Sequence, residues 1–137
     1  MAVFATEAGV RLQTQVDDTS VASSELVTAC IDEAHERVLA ALDDGVDREA
    51  PPEAVTQGET LLAAAGVFRA LASRDAAEQV ELQIGGQRVG AGQRFASLMS
   101  MARRFEKAGH VLLAPHSALP AIDCPILVGK TTSVLGE

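Results

Sequence analysis

Apolar residues recur at three- and four-residue steps after Ser23: Leu26, Val27, Cys30, Ile31, Ala34, Val38, Ala41 and Leu42. That spacing lays down one buried stripe and predicts a helix from about Ser23 to Leu42. Asp32, Glu33, Glu36 and Arg37 take the other face, with His35 placed among them as an exposed histidine, and Asp43-Asp44-Gly45 ends the element. Upstream, residues 7–14 form a short helix capped by Thr6. Downstream, Pro51-Pro52 opens a second long helix, because the N–H that proline lacks has no partner in a first turn. It runs to about Ser73, with Val55, Leu62, Ala65, Phe68, Leu71 and Ala72 inward and Glu53 and Glu59 near the positive end of its dipole. Gly58 and Gly66 lie inside it. An interior glycine costs up to about 1 kcal/mol relative to alanine, so each implies that another helix crosses closely.

The pattern then changes. Val80, Leu82 and Ile84 alternate and run into Gly85, Gly86, Gly90 and Gly92, which predicts a pliable β-like arm over 80–92 that includes Arg88 and Val89. A third long helix follows from about Gln93 to Ala108, with Phe95, Leu98, Met99, Ala102 and Phe105 as its apolar stripe and Gly109 as its C-cap. From His110 onward Pro115, Pro120 and Pro125 forbid a long helix and favour extended chain. That tail is too apolar to be a solvated end, so Leu112, Leu113, Leu119, Ile122, Ile126, Leu127 and Val128 should dock on their own or another subunit. The expected fold is all-α: a small antiparallel bundle of three long helices and a short N-terminal one over 1–110, followed by an extended tail over 111–137.

Composition agrees with close-packed helices, since the chain has four Phe and neither Trp nor Tyr. A net charge of −8 argues against a nucleic-acid reader and an anionic-membrane binder. The charge is uneven: residues 1–81 carry 16 acidic and 5 basic side chains, and residues 82–137 carry 3 and 6. Such asymmetry is either incidental to a lone domain or suits a molecule whose one side meets the opposite side of an identical neighbour. Cys30 and Cys124 lack metal or redox spacing, and Cys30 reads as a reduced core thiol of a cytosolic protein. Neither a signal peptide nor a membrane-spanning stretch is read.

Strand, glycine-rich turn and helix is the order of a phosphate loop, but Ala91 and Gly92 stand where lysine and a hydroxyl are required. The dinucleotide pattern fails at Phe95, which fills the third glycine's place. "VGKTT" at 128–132 has Cys124 in place of the first glycine and too little chain after it for a helix. His35, His110 and His116 show no metal spacing, and no nucleophile elbow is present. The expectation is a protein without catalytic activity, cofactor or metal. Arg103, Arg104 and Lys107 form a solvated or subunit-facing patch.

The order of the segments "SSELVTACIDEAHERVLAAL", "PPEAVTQGETLLAAAGVFRAL", "VELQIGGQRVGAGQ" and "RFASLMSMARRFEKAG" resembles the head–tail connector (adaptor, or head-completion) proteins of tailed double-stranded DNA bacteriophages. Ile31, Ala34 and Val38 match the first-helix pattern of that family, Pro52 and Val55 the start of its second helix, and Ile84-Gly85 its glycine-bearing segment. The resemblance covers about residues 5–110. It implies a homo-oligomeric ring of about twelve subunits beneath the portal protein, extending the DNA channel in the virion neck after assembly in the host cytoplasm. Its partners would be itself, the portal, a downstream neck or tail protein, and double-stranded DNA as non-specific channel content. Val80, Leu82, Ile84, Gly85, Gly86, Arg88 and Val89 would form the subunit-interface arm, and the apolar tail residues would dock on the portal or a neighbour. Rival readings are another neck or tail-completion protein and a cytosolic helical interaction module.

Overall fold

A computed structural model of the chain describes residues 3–84 and 91–118. Helix α1 spans Glu7–Thr14, α2 Ser24–Ala41, α3 Glu53–Ile84 and α4 Ala91–Leu113, and a 3-10 turn follows at Ala114–His116. Among the described residues there is no strand. The starts of α1, α2 and α3 lie where the sequence places them, whereas α4 begins at Ala91, two residues before Gln93 and inside the arm expected over 80–92. Thr6 Oγ1 accepts from the Gly9 N–H at 3.0 Å, and Ser23 Oγ from the Leu26 N–H at 3.1 Å. Each satisfies one donor that the helix itself leaves unpaired.

Helix α3 is the central element, packed against α1, α2 and α4. Between Gly58 and Ala72 it is enclosed on nearly every side, and Ala63, Ala64 and Ala72 are 0% exposed. A helix closed in all round must be apolar or small around its circumference, and its many alanines let three neighbours approach. The interior glycines mark the crossings, as expected. A Cβ on Gly66 would stand 3.3 Å from Cys30 Sγ of α2, and one on Gly58 only 2.6 Å from Leu113 Cγ of α4. Cys30 opposite Gly66 and His35 opposite Glu59 set α2 antiparallel to α3. Phe68 against Phe105 and Asp75 against Arg94 do the same for α4. Helices α2 and α4 therefore run parallel to each other.

The structure corrects the sequence reading at three places. First, Val80, Leu82 and Ile84 are not a β-like arm; their backbone continues α3 to Ile84. Five residues are too few to separate a period of two from helix, since Val80 and Ile84 are also four apart. Glu81, Leu82 and Gln83 are good helix formers, and no breaker occurs before Gly85. The arm residues Gly85, Gly86, Arg88 and Val89 lie outside the described residues.

Second, Gly109 is not a C-cap. It is interior to α4, where a Cβ would come within 3.0 Å of the Gly58 carbonyl oxygen and 3.2 Å of Leu62 Cδ2. The two glycines face each other and set the α3–α4 distance. Third, the tail does not begin at 111. Leu112 and Leu113 belong to α4, Leu113 is only 7% exposed, and Pro115 sits within the 3-10 turn Ala114–His116 rather than in extended chain. Beyond the turn the chain is tied to the end of α2: Asp43 N–H donates to His116 O at 2.9 Å and Ala118 N–H to Ala41 O at 2.8 Å. The helical unit thus reaches Ala118. Leu119, Ile122, Ile126, Leu127 and Val128 lie outside the described residues.

Candidate functional site

Two polar clusters and two charged helix faces are built on this frame. The first cluster is buried. Glu59 lies on the inward stripe of α3, four residues after Val55 and three before Leu62, and is 0% exposed. Its Oε2 accepts from the backbone N–H groups of Phe4 and Ala5, each at 2.9 Å, and its Oε1 lies 2.9 Å from His35 Nδ1 of α2. With the imidazole proton assigned to Nδ1, the carboxylate receives three hydrogen bonds and spends no lone pair on a void. Phe4 packs edge-on over the His35 ring at 4.8 Å between centroids. The sequence reading of His35 as an exposed surface residue is therefore wrong: the side chain is 6% exposed and turned into the core. Its position, four after Ile31 and three before Val38, puts it on the edge of the buried stripe, and its acidic neighbours hid that.

A carboxylate holding an imidazole is the orienting half of many acid–base sites. Here the pair is sealed under Phe4, and His35 Nε2 is itself buried without a partner. What the arrangement does is fasten the N-terminal segment, residues 3–6, to the bundle. Arg11 fastens the next stretch, donating from Nη2 to Ala22 O at 2.8 Å and from Nη1 to Val16 O at 3.1 Å.

The second cluster joins three helices near the surface. Glu106 of α4 accepts from Arg37 of α2 at 3.0 Å and from Arg69 of α3, with His110 Nε2 at 3.7 Å. Burial pushes the Glu106 carboxyl up, but the hydrogen bonds from Arg69 and Arg37 outweigh it and hold it below its ordinary 4.5. A carboxyl lowered on folding contributes stability above its unfolded value, and that contribution is lost as pH falls through the folded one. Glu106→Gln is therefore expected to lower stability at neutral pH and to converge on the wild type as pH drops below about 4.5. Urea unfolding at a series of pH values measures this. A stability gap independent of pH contradicts the assignment.

Nearer the α3–α4 connection, the buried Asp75 accepts from Arg94 Nε at 2.7 Å. Cys30 is buried, and burial, followed by the charge of Glu33, raises its thiol above its ordinary value, as suits a core residue rather than a nucleophile. Among the described residues no three His, Cys, Asp or Glu side chains converge as metal ligands, and no helix is long and apolar enough to cross a membrane.

The charged faces are exposed. On α2, Glu25, Asp32, Glu33 and Glu36 point away from α3, around a shallow groove lined by Ser24, Thr28 and Ala29. On α4, Arg103, Arg104 and Lys107 lie exposed, one turn beyond the small residue Ser100. Of the residues assigned to a neighbour-docking tail, the structure puts Leu113 in the domain's own core and half-buries Leu112 beside it. Sequence reasoning missed Glu59, His35 and Glu106. The legible sign was a charged residue on an apolar stripe, which Glu59 supplies. No protein-family model, curated protein or solved structure matches the chain.

Proposed function

We propose that the protein is a structural virion component, a head–tail connector that forms a ring under the portal, extends the DNA channel and joins capsid to tail. The observation that carries this reading is the meeting of the resemblance-bearing residues in one core. Ile31, Ala34 and Val38 of α2 are 4%, 2% and 1% exposed, and Val55, in the first turn of α3 after Pro52, is 0% exposed. Ile84 ends α3 at the glycine-bearing segment before the last helix, as in the family pattern. A net charge of −8 neutralises few phosphates, which suits DNA passing as channel content.

The test is native mass spectrometry with negative-stain imaging of the full chain, alone and with the portal protein of its own genome. Closed rings stacked on the portal are expected. A monomer or dimer that never closes in the portal's presence overturns the reading.

A further inference from the structure

We infer that the outward face of α2 and the outward face of α4 are the two halves of one interface, through which a second copy of this chain docks head to tail. The inference deepens the connector reading by naming the surfaces that would join subunits, and the ring closure discussed below rests on that reading.

Asp32, Glu33 and Glu36 occupy positions i, i+1 and i+4 on α2, and Arg103, Arg104 and Lys107 occupy i, i+1 and i+4 on α4. All six are exposed, and none has an ion-pair partner among the described residues. Within one chain the two clusters do not meet. The acidic cluster is preceded by Thr28 and Ala29 one turn earlier, and the basic one by Met99 and Ser100, so each helix offers one small residue, Ala29 or Ser100, beside its charges. Small side chains let two helices approach until long charged ones can reach across. Laid parallel in the register that sets Asp32, Glu33 and Glu36 against Arg103, Arg104 and Lys107, Ala29 falls opposite Ser100 and Thr28 opposite Met99.

The fold supplies that orientation. Because α2 and α4 are both antiparallel to α3, they are parallel to each other within a subunit. A rotation about an axis along the bundle keeps a neighbour's α4 parallel to this chain's α2. The heights also agree. Along α3, the acidic cluster lies between the levels where Cys30 meets Gly66 and His35 meets Glu59. The basic cluster lies near the level where Ala102 and Phe105 meet Ala65 and Phe68. The two clusters therefore sit within about one helical turn of each other, some 5 Å. Only copies related by a pure rotation close on themselves, and an offset of this size is within the reach of long Arg, Lys and Glu side chains, so the faces can pair without an axial shift between subunits.

The occupant is a second copy because the complementary charge pattern is present on the same chain at matching spacing. Steering between such faces weakens with salt, since exposed charges are screened beyond about 10 Å at 0.1 M ionic strength.

The test is sedimentation of the full chain over a range of concentration and salt, with two charge-reversed forms. One carries Asp32→Lys, Glu33→Lys and Glu36→Lys; the other carries Arg103→Glu, Arg104→Glu and Lys107→Glu. These are exposed positions, and circular dichroism checks that each variant keeps the helical fold. Wild type is expected to self-associate at low salt and to dissociate as salt rises. Each variant alone should associate at least about tenfold more weakly. An equimolar mixture of the two should recover assembly, because each then presents the face the other needs.

A wild type that stays monomeric at every concentration overturns the inference. So does undiminished association of both variants, which is the result expected if the residues beyond Ala118 cover these faces or if copies meet elsewhere. Portal binding is read separately. Copies that pair through these faces but ignore the portal sink the connector reading alone. Rings on the portal that tolerate both reversals sink this interface alone.

Discussion

Replacing Glu59 with alanine is expected to destabilise the protein by about 3–5 kcal/mol, the loss seen when one partner of a buried ionic or charge-assisted pair is removed. For a chain of this size that is a fall in melting temperature of roughly 10 °C or more. The magnitude follows from what remains behind. The backbone N–H groups of Phe4 and Ala5, and His35 Nδ1, all end on this one carboxylate, which is 0% exposed. A buried ion pair can often be exchanged for apolar residues when both partners go together. Here two of the three donors are main-chain N–H groups that stay behind when the carboxylate goes, so Glu59→Leu should be no better than Glu59→Ala. Glu59→Gln keeps an oxygen for the backbone donors but presents an amide N–H₂ to His35. The imidazole must then accept at Nδ1 and bury an Nε2–H with no partner, at about 1–3 kcal/mol. The expected order is therefore wild type, then Gln, then Ala and Leu together. Chemical denaturation measures it, and an alanine variant within about 1 kcal/mol of wild type would show that the latch contributes little.

Hydrogen exchange gives the same prediction a spatial readout. The amides of Phe4 and Ala5 should be protected in wild type and exchange freely in Glu59→Ala, while the centre of α3 keeps its protection. The N-terminal segment then behaves as a strap held by one side chain.

The helices were legible in the sequence because their signals are local. Thr6 and Ser23 hydrogen-bond within the next turn, and the stripe of α2 repeats through Val27, Ile31, Ala34 and Val38, all of them buried. What the sequence concealed depends on a second element. Gly109 looks like a terminal glycine until Gly58 is placed opposite it, and Val80–Ile84 alternates like a strand until α3 is seen to continue. His35 was assigned to water by its acidic neighbours in sequence, but its surroundings in space are Phe4 and Glu59. For Gly109 and His35 a long-range contact overrode the local rule, whereas at Val80–Ile84 five residues were too few to separate a period of two from helix. The proposed pairing of α2 with α4 was not legible, since the sequence puts the subunit interface in the arm over 80–92 and leaves Arg103, Arg104 and Lys107 as a solvated or subunit-facing patch. That α2 and α4 are parallel, and so able to pair between copies, required the fold.

Where the folded unit ends decides the last expected result. A chain ending at Ala118 retains every contact described above, whereas a chain ending at His110 loses the last turn of α4 and the tie to α2. Leu113 is 7% exposed and fills the space over Gly58, and burying a leucine of this kind is worth about 2–5 kcal/mol by truncation to alanine. The hydrogen bonds from Asp43 N–H to His116 O and from Ala118 N–H to Ala41 O add about 0.5–1.5 kcal/mol each where they are shielded from water. Removing 111–137 is therefore expected to lower stability by about 3–5 kcal/mol, a large share of the roughly 5–15 kcal/mol available to a domain. Removing only 119–137 should leave the urea midpoint close to wild type. Leu113→Ala in the full chain separates core packing from chain length: it should reproduce most of the loss while keeping the α2 tie. Equal midpoints for the two truncated chains would return residues 111–118 to the docking tail and leave the domain boundary at 110.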